Sequence, residues 1–257
     1  TAWVLLVCGL YGSFIALLVK GGGAYAFGEW LTPKLQSKRS SLLATWLLGL
    51  VIFLDDYLNS LTVGATMKSV TDRFKTSREM LAYVVDSTAA PMCLLIPISS
   101  WGVYFASLLE KNGVADSGQG IALFIESIPY MFYPLLAVVI VPLVIMGVIP
   151  LVGSMQVAEA RAEETGDLGV VEDTTLAVEA SENPRMSVFF LPIAALLFFT
   201  VVPSVDLLRG VILGIMVTLV QYGVLRIMPL TALFDTCVEG LKSMIPVLTM
   251  LLALFVF

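Results

Sequence analysis

Two neighbouring carboxylates interrupt an apolar stretch, and they are the residues of this chain best suited to chemistry. Asp55 and Asp56 lie in the sequence FLDDYLNS, with apolar residues continuing on both sides. An aspartate at the centre of an apolar membrane segment costs about 2.5–3.5 kcal/mol on insertion scales, so an adjacent pair is not expected there without a role. Two adjacent carboxylates repel one another when both are ionised, which favours a bound proton or a bound cation. The pair therefore predicts a site at which a proton and a cation compete.

Neutral oxygens extend this candidate site if the segment is helical. Asn59 follows one turn after both aspartates, and Thr62 and Thr66 continue the same face. Carboxylate, amide and hydroxyl oxygens suit a small hard cation. The alternative is that Asp55 and Asp56 only cap a helix in an aqueous loop. The pattern leaves open which aspartate would bind the ion.

A second polar cluster, DSTAAP, lies in the next apolar stretch and contains Asp86, Ser87, Thr88 and Pro91. Because proline has no N–H, Pro91 frees the carbonyl of Ser87. An unwound segment here would expose carbonyl, hydroxyl and carboxylate oxygens together, as in the broken helices of transporters. The alternative is an ordinary proline kink in a packed span.

Ser99, with Ser100 and Trp101 after it, is a candidate to line the same pathway, although serines in membrane helices often bond to their own backbone. The predicted ion-binding and transport residues are Asp55, Asp56, Asn59, Thr62, Asp86, Ser87, Thr88, Pro91 and Ser99. The predicted sodium ligands among them are Asp55, Asp56, Asn59, Asp86 and Ser87.

Enzymatic and cofactor chemistry have little support in the sequence. The chain has no histidine, and its three cysteines are isolated, which excludes zinc sites and histidine-based catalysis. No basic arm or basic-aromatic patch indicates nucleic-acid binding. We therefore predict no catalytic residue, no cofactor and no nucleic-acid partner.

The elements that must position these residues are membrane spans. Apolar residues make up 58% of the chain and charged residues 13%, and the mean hydropathy is +0.95. A soluble domain carries about a quarter charged residues, so lipid must surround much of this chain. We predict an all-α, polytopic membrane protein whose partners are the lipid bilayer and a small cation.

Charge placement predicts the topology. Lys/Arg-rich loops flank the segment 42–67 on both sides, and the positive-inside rule places both loops in the cytoplasm. One straight span cannot join two loops on the same side, so we predict a re-entrant helical hairpin that turns near residues 55–59. The segment 81–109 is predicted to be a broken transmembrane helix. The segment 152–187 is predicted to be an acidic cytoplasmic linker, in the form of a loop, between the spans of residues 1–151 and 188–257.

The sequences FLDDYLNSLTVG, YVVDSTAAP and PISSW resemble the NhaC-type sodium/proton antiporters of the ion transporter superfamily. The resemblance covers most of the chain. It implies an inverted-repeat transporter, with residues 1–151 in the first repeat and 188–257 opening the second, and an elevator-like movement in a homodimer. By the same resemblance, sodium is the coupling ion, and the ion site includes Asp55, Asp56, Asn59, Asp86, Ser87 and Thr88.

The expected function is therefore exchange of sodium for protons across the inner (plasma) membrane, by competition for mid-membrane carboxylates. The alternative is sodium- or proton-coupled transport of a small organic acid such as lactate or malate. Asp55, Asp56 and Asp86, without a basic residue at membrane depth, favour a cation. An intramembrane enzyme or a structural membrane subunit is a third possibility. Because the chain starts and stops inside apolar runs, we expect it to be part of a longer protein, truncated at both ends.

Overall fold

The computed structural model describes residues 2–169, 185–202 and 206–256, and these residues are helical without a strand. The α-helices are α1 (Ala2–Lys20), α2 (Gly23–Leu31), α3 (Lys38–Val51), α4 (Asp56–Arg73), α5 (Arg78–Leu95), α6 (Ser100–Lys111), α7 (Gly120–Ser127), α8 (Phe132–Met146), α9 (Ser154–Thr165), α10 (Ser187–Val201), α11 (Leu207–Leu225), α12 (Leu230–Ser243) and α13 (Ile245–Val256). The prediction of an all-α chain is confirmed for this part of the protein.

Helix length and composition indicate membrane spans. Leu207–Leu225 is a straight helix long and apolar enough to cross a bilayer. Three further candidates are bent pairs within the described ranges: Leu5–Lys20 with Gly23–Lys34 at 57°, Arg78–Leu95 with Ser100–Lys111 at 42°, and Gly120–Tyr130 with Phe132–Met146 at 56°. The described residues therefore contain one candidate span, or four if each bent pair crosses as one.

The chain divides into two compact units, Thr1–Lys34 with Val171–Phe257 and Leu35–Val170. This division differs from the predicted grouping of residues 1–151, because α1 packs on helices near the other end of the chain. Gly12 of α1 and Gly240 of α12 meet so closely that a Cβ on either would collide with the backbone of the other. The Tyr222 hydroxyl on α11 also donates to the Leu17 carbonyl at 3.0 Å.

The unit Leu35–Val170 contains both polar clusters. Its hairpin segment forms α3 and α4, which contact one another and are separated by non-helical backbone at residues 52–55. The chain leaves α4 through a short turn into α5, and α5 packs against α3, α4, α8 and α9. The expected turn near 55–59 is thus displaced toward the N-terminus, because Asn59 already lies in the first turn of α4, where its N–H donates to the Asp55 carbonyl at 2.9 Å.

The broken helix breaks at a different place from the one expected. The predicted unwinding between Asp86 and Pro91 is wrong, because α5 continues through Pro91 to Leu95. The chain leaves helical geometry at Ile96, whose backbone is extended at φ −110° and ψ 115°. Pro97 disfavours helical geometry for the residue before it, which is the physical reason for a break at this point.

The predicted linker 152–187 begins with a helix. The first part of the segment, expected as a loop, forms α9, and one face of this helix buries Ala158, Glu159 and Ala162. The run of alanine and glutamate around these residues favours a helix. Residues 170–184 of the linker, and 203–205 at the end of the predicted span 188–205, lie outside the described residues.

Candidate ion-binding site

The two helix breaks of the unit Leu35–Val170 contact one another. The Ser100 N–H at the start of α6 donates to the Leu54 carbonyl in the first break at 2.7 Å. The Cys93 thiol near the end of α5 donates to the Phe53 carbonyl at 3.1 Å. Backbone groups that lose their helical partners at one break are therefore satisfied by the other, as buried polar groups require. We call this contact, formed by residues 52–56 and 96–101, the break junction.

Asp55 lies buried in the break junction, with 5% of its surface exposed. It caps α4, and its Oδ1 accepts hydrogen bonds from the N–H groups of Tyr57 at 3.1 Å and Leu58 at 3.2 Å. Its Oδ2 accepts a hydrogen bond from the Ser100 hydroxyl at 2.9 Å. The alternative that the pair caps a helix is thus half right: Asp55 does cap α4, but in a buried position rather than an aqueous loop.

Asp56 is the first residue of α4 and is half-buried. Its Oδ1 accepts a hydrogen bond from the indole N–H of Trp101 at 3.1 Å. The charge of Asp86 on α5 acts on Asp56, and that of Asp56 acts on Asp55. The adjacent carboxylates of Asp55 and Asp56 repel one another when both are ionised, while the N-terminus of α4 supplies partial positive charge.

Asn59 lies one turn along α4 from Asp55 and is fully buried. Its side-chain N–H donates to the Gly49 carbonyl of α3 at 2.6 Å. That bond leaves Oδ1 without a hydrogen-bond partner among the described residues. A Cβ at Gly49 would lie 3.6 Å from this Oδ1 and 3.0 Å from Cγ2 of Thr88, so glycine gives the amide its space.

The other predicted residues lie in different environments. Asp86 is exposed and Ser87 half-buried, while the buried Thr88 hydroxyl donates to the Val84 carbonyl at 2.6 Å. Pro91 is buried inside the continuous helix α5. These four residues therefore do not lie in an unwound stretch of backbone. Thr88 lies beside Gly49 and Asn59.

Ser99 caps α6 rather than facing an open pathway. Its hydroxyl accepts a hydrogen bond from the Gly102 N–H at 3.0 Å and donates to the Cys93 carbonyl. Ser100 and Trp101, which the sequence suggested as pathway-lining residues but which are not among the predicted site residues, are the ones that bond to Asp55 and Asp56. The available signal was Pro97, three residues before Ser100, because the residue before a proline tends to leave helical geometry.

The donor set of the break junction fits a weakly held ion. In the described ranges, no group of three or more histidine, cysteine, aspartate and glutamate side chains could hold a metal ion. What the junction offers is one buried and one half-buried carboxylate, with amide and hydroxyl oxygens along α4. A carboxylate in such a place can be neutralised by a proton or by a monovalent cation.

Comparison with known proteins identifies the family. Residues 92–255 match the model of the Na+/H+ antiporter family, and this stretch is more than half of the chain. The chain belongs to the Na+/H+ antiporter family. The match includes Ser99, Ser100 and Trp101 and begins after the three aspartates. The apolar helices of the described residues are compatible with this membership.

A relative from Haemophilus influenzae (strain ATCC 51907 / DSM 11121 / KW20 / Rd), which carries the name "Uncharacterized protein", is 47% identical over 106 residues. The aligned stretch is 41% of this chain and 20% of the relative, so the chain spans about a fifth of that protein's length. No solved structure matches the chain.

Proposed function

We propose that the protein containing this chain exchanges sodium for protons, and that the two ions compete for Asp55 and Asp56 at the break junction. The observation that carries the proposal is the buried Asp55 carboxylate, whose hydrogen-bond donors in the described structure are all neutral groups. Neutral donors orient a carboxylate without cancelling its charge. A proton or a sodium ion can supply the missing positive charge, and one excludes the other.

The surroundings of the pair support a cation rather than an anion. Salt bridges among the described residues involve other carboxylates, such as Asp72, Glu159 and Glu239, and leave Asp55 and Asp56 without a basic partner. An anion would meet uncompensated negative charge at this place. We therefore do not propose transport of a small organic acid, and the exchange assay with lactate tests this alternative.

The proposal extends to the architecture that the sequence resemblance implies. We place the protein among the NhaC-type antiporters, in the inner membrane as a multi-pass homodimer with inverted repeats. In this arrangement α3 and α4 are the arms of the re-entrant hairpin, and α5 with α6 is the broken helix. The contact between the two breaks supports this assignment, since irregular backbone at membrane depth must be buried in protein.

The test is ion exchange by the full-length protein in proteoliposomes under an imposed pH gradient. Sodium should dissipate the gradient, whereas lactate should not. If lactate dissipates it and sodium fails, the proposal is wrong. Parallel additions of lithium and potassium measure the selectivity among monovalent cations.

The site is tested by Asp55→Asn and Asp56→Asn in the same assay. Asparagine caps a helix about as well as aspartate, so D55N keeps the two backbone bonds of α4 and removes only the charge. We expect at least one of the variants to lose exchange while the yield and thermal unfolding of the protein stay near wild type. Asp116→Asn, at an exposed carboxylate outside the break junction, is the matched control. Full exchange in both D55N and D56N would move the site elsewhere.

A further inference from the structure

Two threonines of α4 carry the polar face of the site away from the break junction. Thr62 and Thr66 are 3% and 1% exposed, and neither hydroxyl has a hydrogen-bond partner among the described residues. At 3.6 residues per turn, they share an arc of about 60° on α4 with Asn59. The unpartnered Oδ1 of Asn59 lies between Asp55 and the threonines along α4. We call Asn59, Thr62 and Thr66 the oxygen stripe.

The other buried helical threonines of the unit Leu35–Val170 behave differently, although Thr200 of α10 also lacks a partner among the described residues. Thr45, Thr71 and Thr88 each donate their hydroxyl to the carbonyl one turn earlier, at 2.9, 2.9 and 2.6 Å. This bond is the usual way for a threonine to satisfy its hydroxyl inside an apolar helix bundle. Thr71 lies on α4 itself, so the helix as a whole does not prevent the bond. The oxygen stripe therefore keeps its lone pairs and hydroxyl protons unused, which is unfavourable unless another partner binds there.

We propose that Thr62 and Thr66 form a second binding position for a dehydrated monovalent cation, about two to three turns along α4 from Asp55 and Asp56. This inference rests on the proposed sodium/proton exchange and assigns the next step of the cation's path. A small hard cation prefers such oxygen ligands, and Asn59 lies within one turn of both the carboxylates and Thr62. Asp55 and Thr66 are about 16 Å apart along the helix axis, so an ion would pass in short steps.

The second binding position contains no carboxylate, so it should bind a cation more weakly than the aspartates do. Neutral oxygens hold a cation less tightly than an aspartate does. A transported ion must bind strongly enough to enter and weakly enough to leave, and a weak neutral position beside a charged one meets both needs. The oxygen stripe runs toward Arg73 at the C-terminal end of α4, where the chain meets the Lys/Arg-rich loop.

The test compares Thr66→Val with Thr71→Val in the full-length protein in proteoliposomes, with NaCl and LiCl as probes. Both substitutions remove a buried threonine hydroxyl from α4 and keep the β-branched shape. We expect T66V to raise the KM for sodium about tenfold, the effect of removing one ordinary ligand contact. Its thermal unfolding temperature should stay equal or rise, because an unsatisfied hydroxyl disappears. We expect T71V to leave the KM unchanged and T66S to restore it.

The outcomes separate this inference from the function on which it rests. Wild-type protein without sodium-dependent exchange would overturn the proposed function, and the second position with it. Wild-type exchange with an unchanged KM in T66V would overturn the second position alone. If T66V does not fold, Thr62→Val replaces it, and an unchanged KM for sodium in that variant has the same meaning.

Discussion

Asp55 and Asp56 are neighbours in sequence, but the structure gives them different surroundings. Asp55 is buried and accepts hydrogen bonds from two backbone N–H groups and one hydroxyl. Asp56 is half-buried, and Trp101 supplies the indole N–H that reaches it. Asp55 thus holds the start of α4 in position as its cap, and Asp56 is the more open carboxylate of the pair.

Trp101→Phe tests the role of the indole N–H at Asp56. A hydrogen bond to a carboxylate stabilises its charged form, and sodium binds only to that form. Without the donor the proton competes better, so the KM for sodium at a fixed neutral pH should rise about three- to tenfold. The increase should shrink as the pH is raised, because fewer protons compete. Sodium titrations of exchange at several pH values measure both effects.

The control for Trp101→Phe is Trp46→Phe. Trp46 also donates its indole N–H, to the Val138 carbonyl at 3.1 Å, but away from the aspartates. W46F should leave the KM for sodium and its pH dependence as in wild type. Equal KM values in the two variants would show that the Trp101 bond has no part in ion binding.

At the scale of elements, the break junction depends on two helix starts. Asp55 caps α4 and Ser99 caps α6, and both helices direct their N-termini at the same carboxylate pair. The partial positive charge of a helix N-terminus stabilises an adjacent anion by about 0.3–1 kcal/mol. Two such termini lower the cost of holding negative charge in an apolar unit without neutralising it.

Ser99→Ala tests whether Ser99 is a structural cap, as its contacts indicate, or an ion ligand. Loss of the cap should reduce the free energy of unfolding by about 1 kcal/mol, because the Gly102 N–H loses its acceptor. Ser99→Asn, which can still cap, should lose less. Both variants should retain the wild-type KM for sodium. A raised KM for sodium at wild-type stability would instead indicate that Ser99 is an ion ligand. Thermal unfolding and sodium titration of exchange measure the two quantities.

At the scale of the whole molecule, α9 ties the acidic part of the chain to the unit that contains the site. Glu159 is 6% exposed, pairs with Lys38 at the start of α3, and accepts a hydrogen bond from the Ser77 N–H at 2.8 Å. Arg161 on the same helix bonds to Glu79 at 2.9 Å. These partners of α9 lie at the N-terminal ends of two helices: Lys38 at the start of α3, and Ser77 and Glu79 at the start of α5. The helix α9 therefore connects the start of the hairpin segment to the start of the broken helix.

Glu159→Ala tests this tie. The substitution leaves the buried Ser77 N–H without its acceptor and takes from Lys38 its buried partner. The free energy of unfolding should fall by about 2–3 kcal/mol. Glu164→Ala, at an exposed position of α9, should change it by less than about 0.5 kcal/mol. Thermal or denaturant unfolding in detergent measures both, and equal stabilities would mean that α9 adds nothing to the unit.

Local sequence was enough to predict the class of the protein and to single out the polar residues inside its apolar stretches. Lipid requires long apolar stretches, and these are visible in composition alone. A carboxylate pair inside such a stretch is costly wherever the chain folds, so Asp55 and Asp56 could be singled out from their neighbours. The helical stripe through Asn59, Thr62 and Thr66 follows from spacing alone.

Only the tertiary structure decided which polar residues meet. Pro91 and Pro97 both lack a backbone N–H, and the local sequence does not tell which of them ends α5. The break occurs before Pro97, and Ser100, which follows it, bonds to Leu54 and Asp55. Ser100 and Asp55 are 45 residues apart, and their bond depends on packing of α5 against α3 and α4. Spacing along one helix predicts a shared face, whereas a bond between two breaks depends on the path of the whole chain between them.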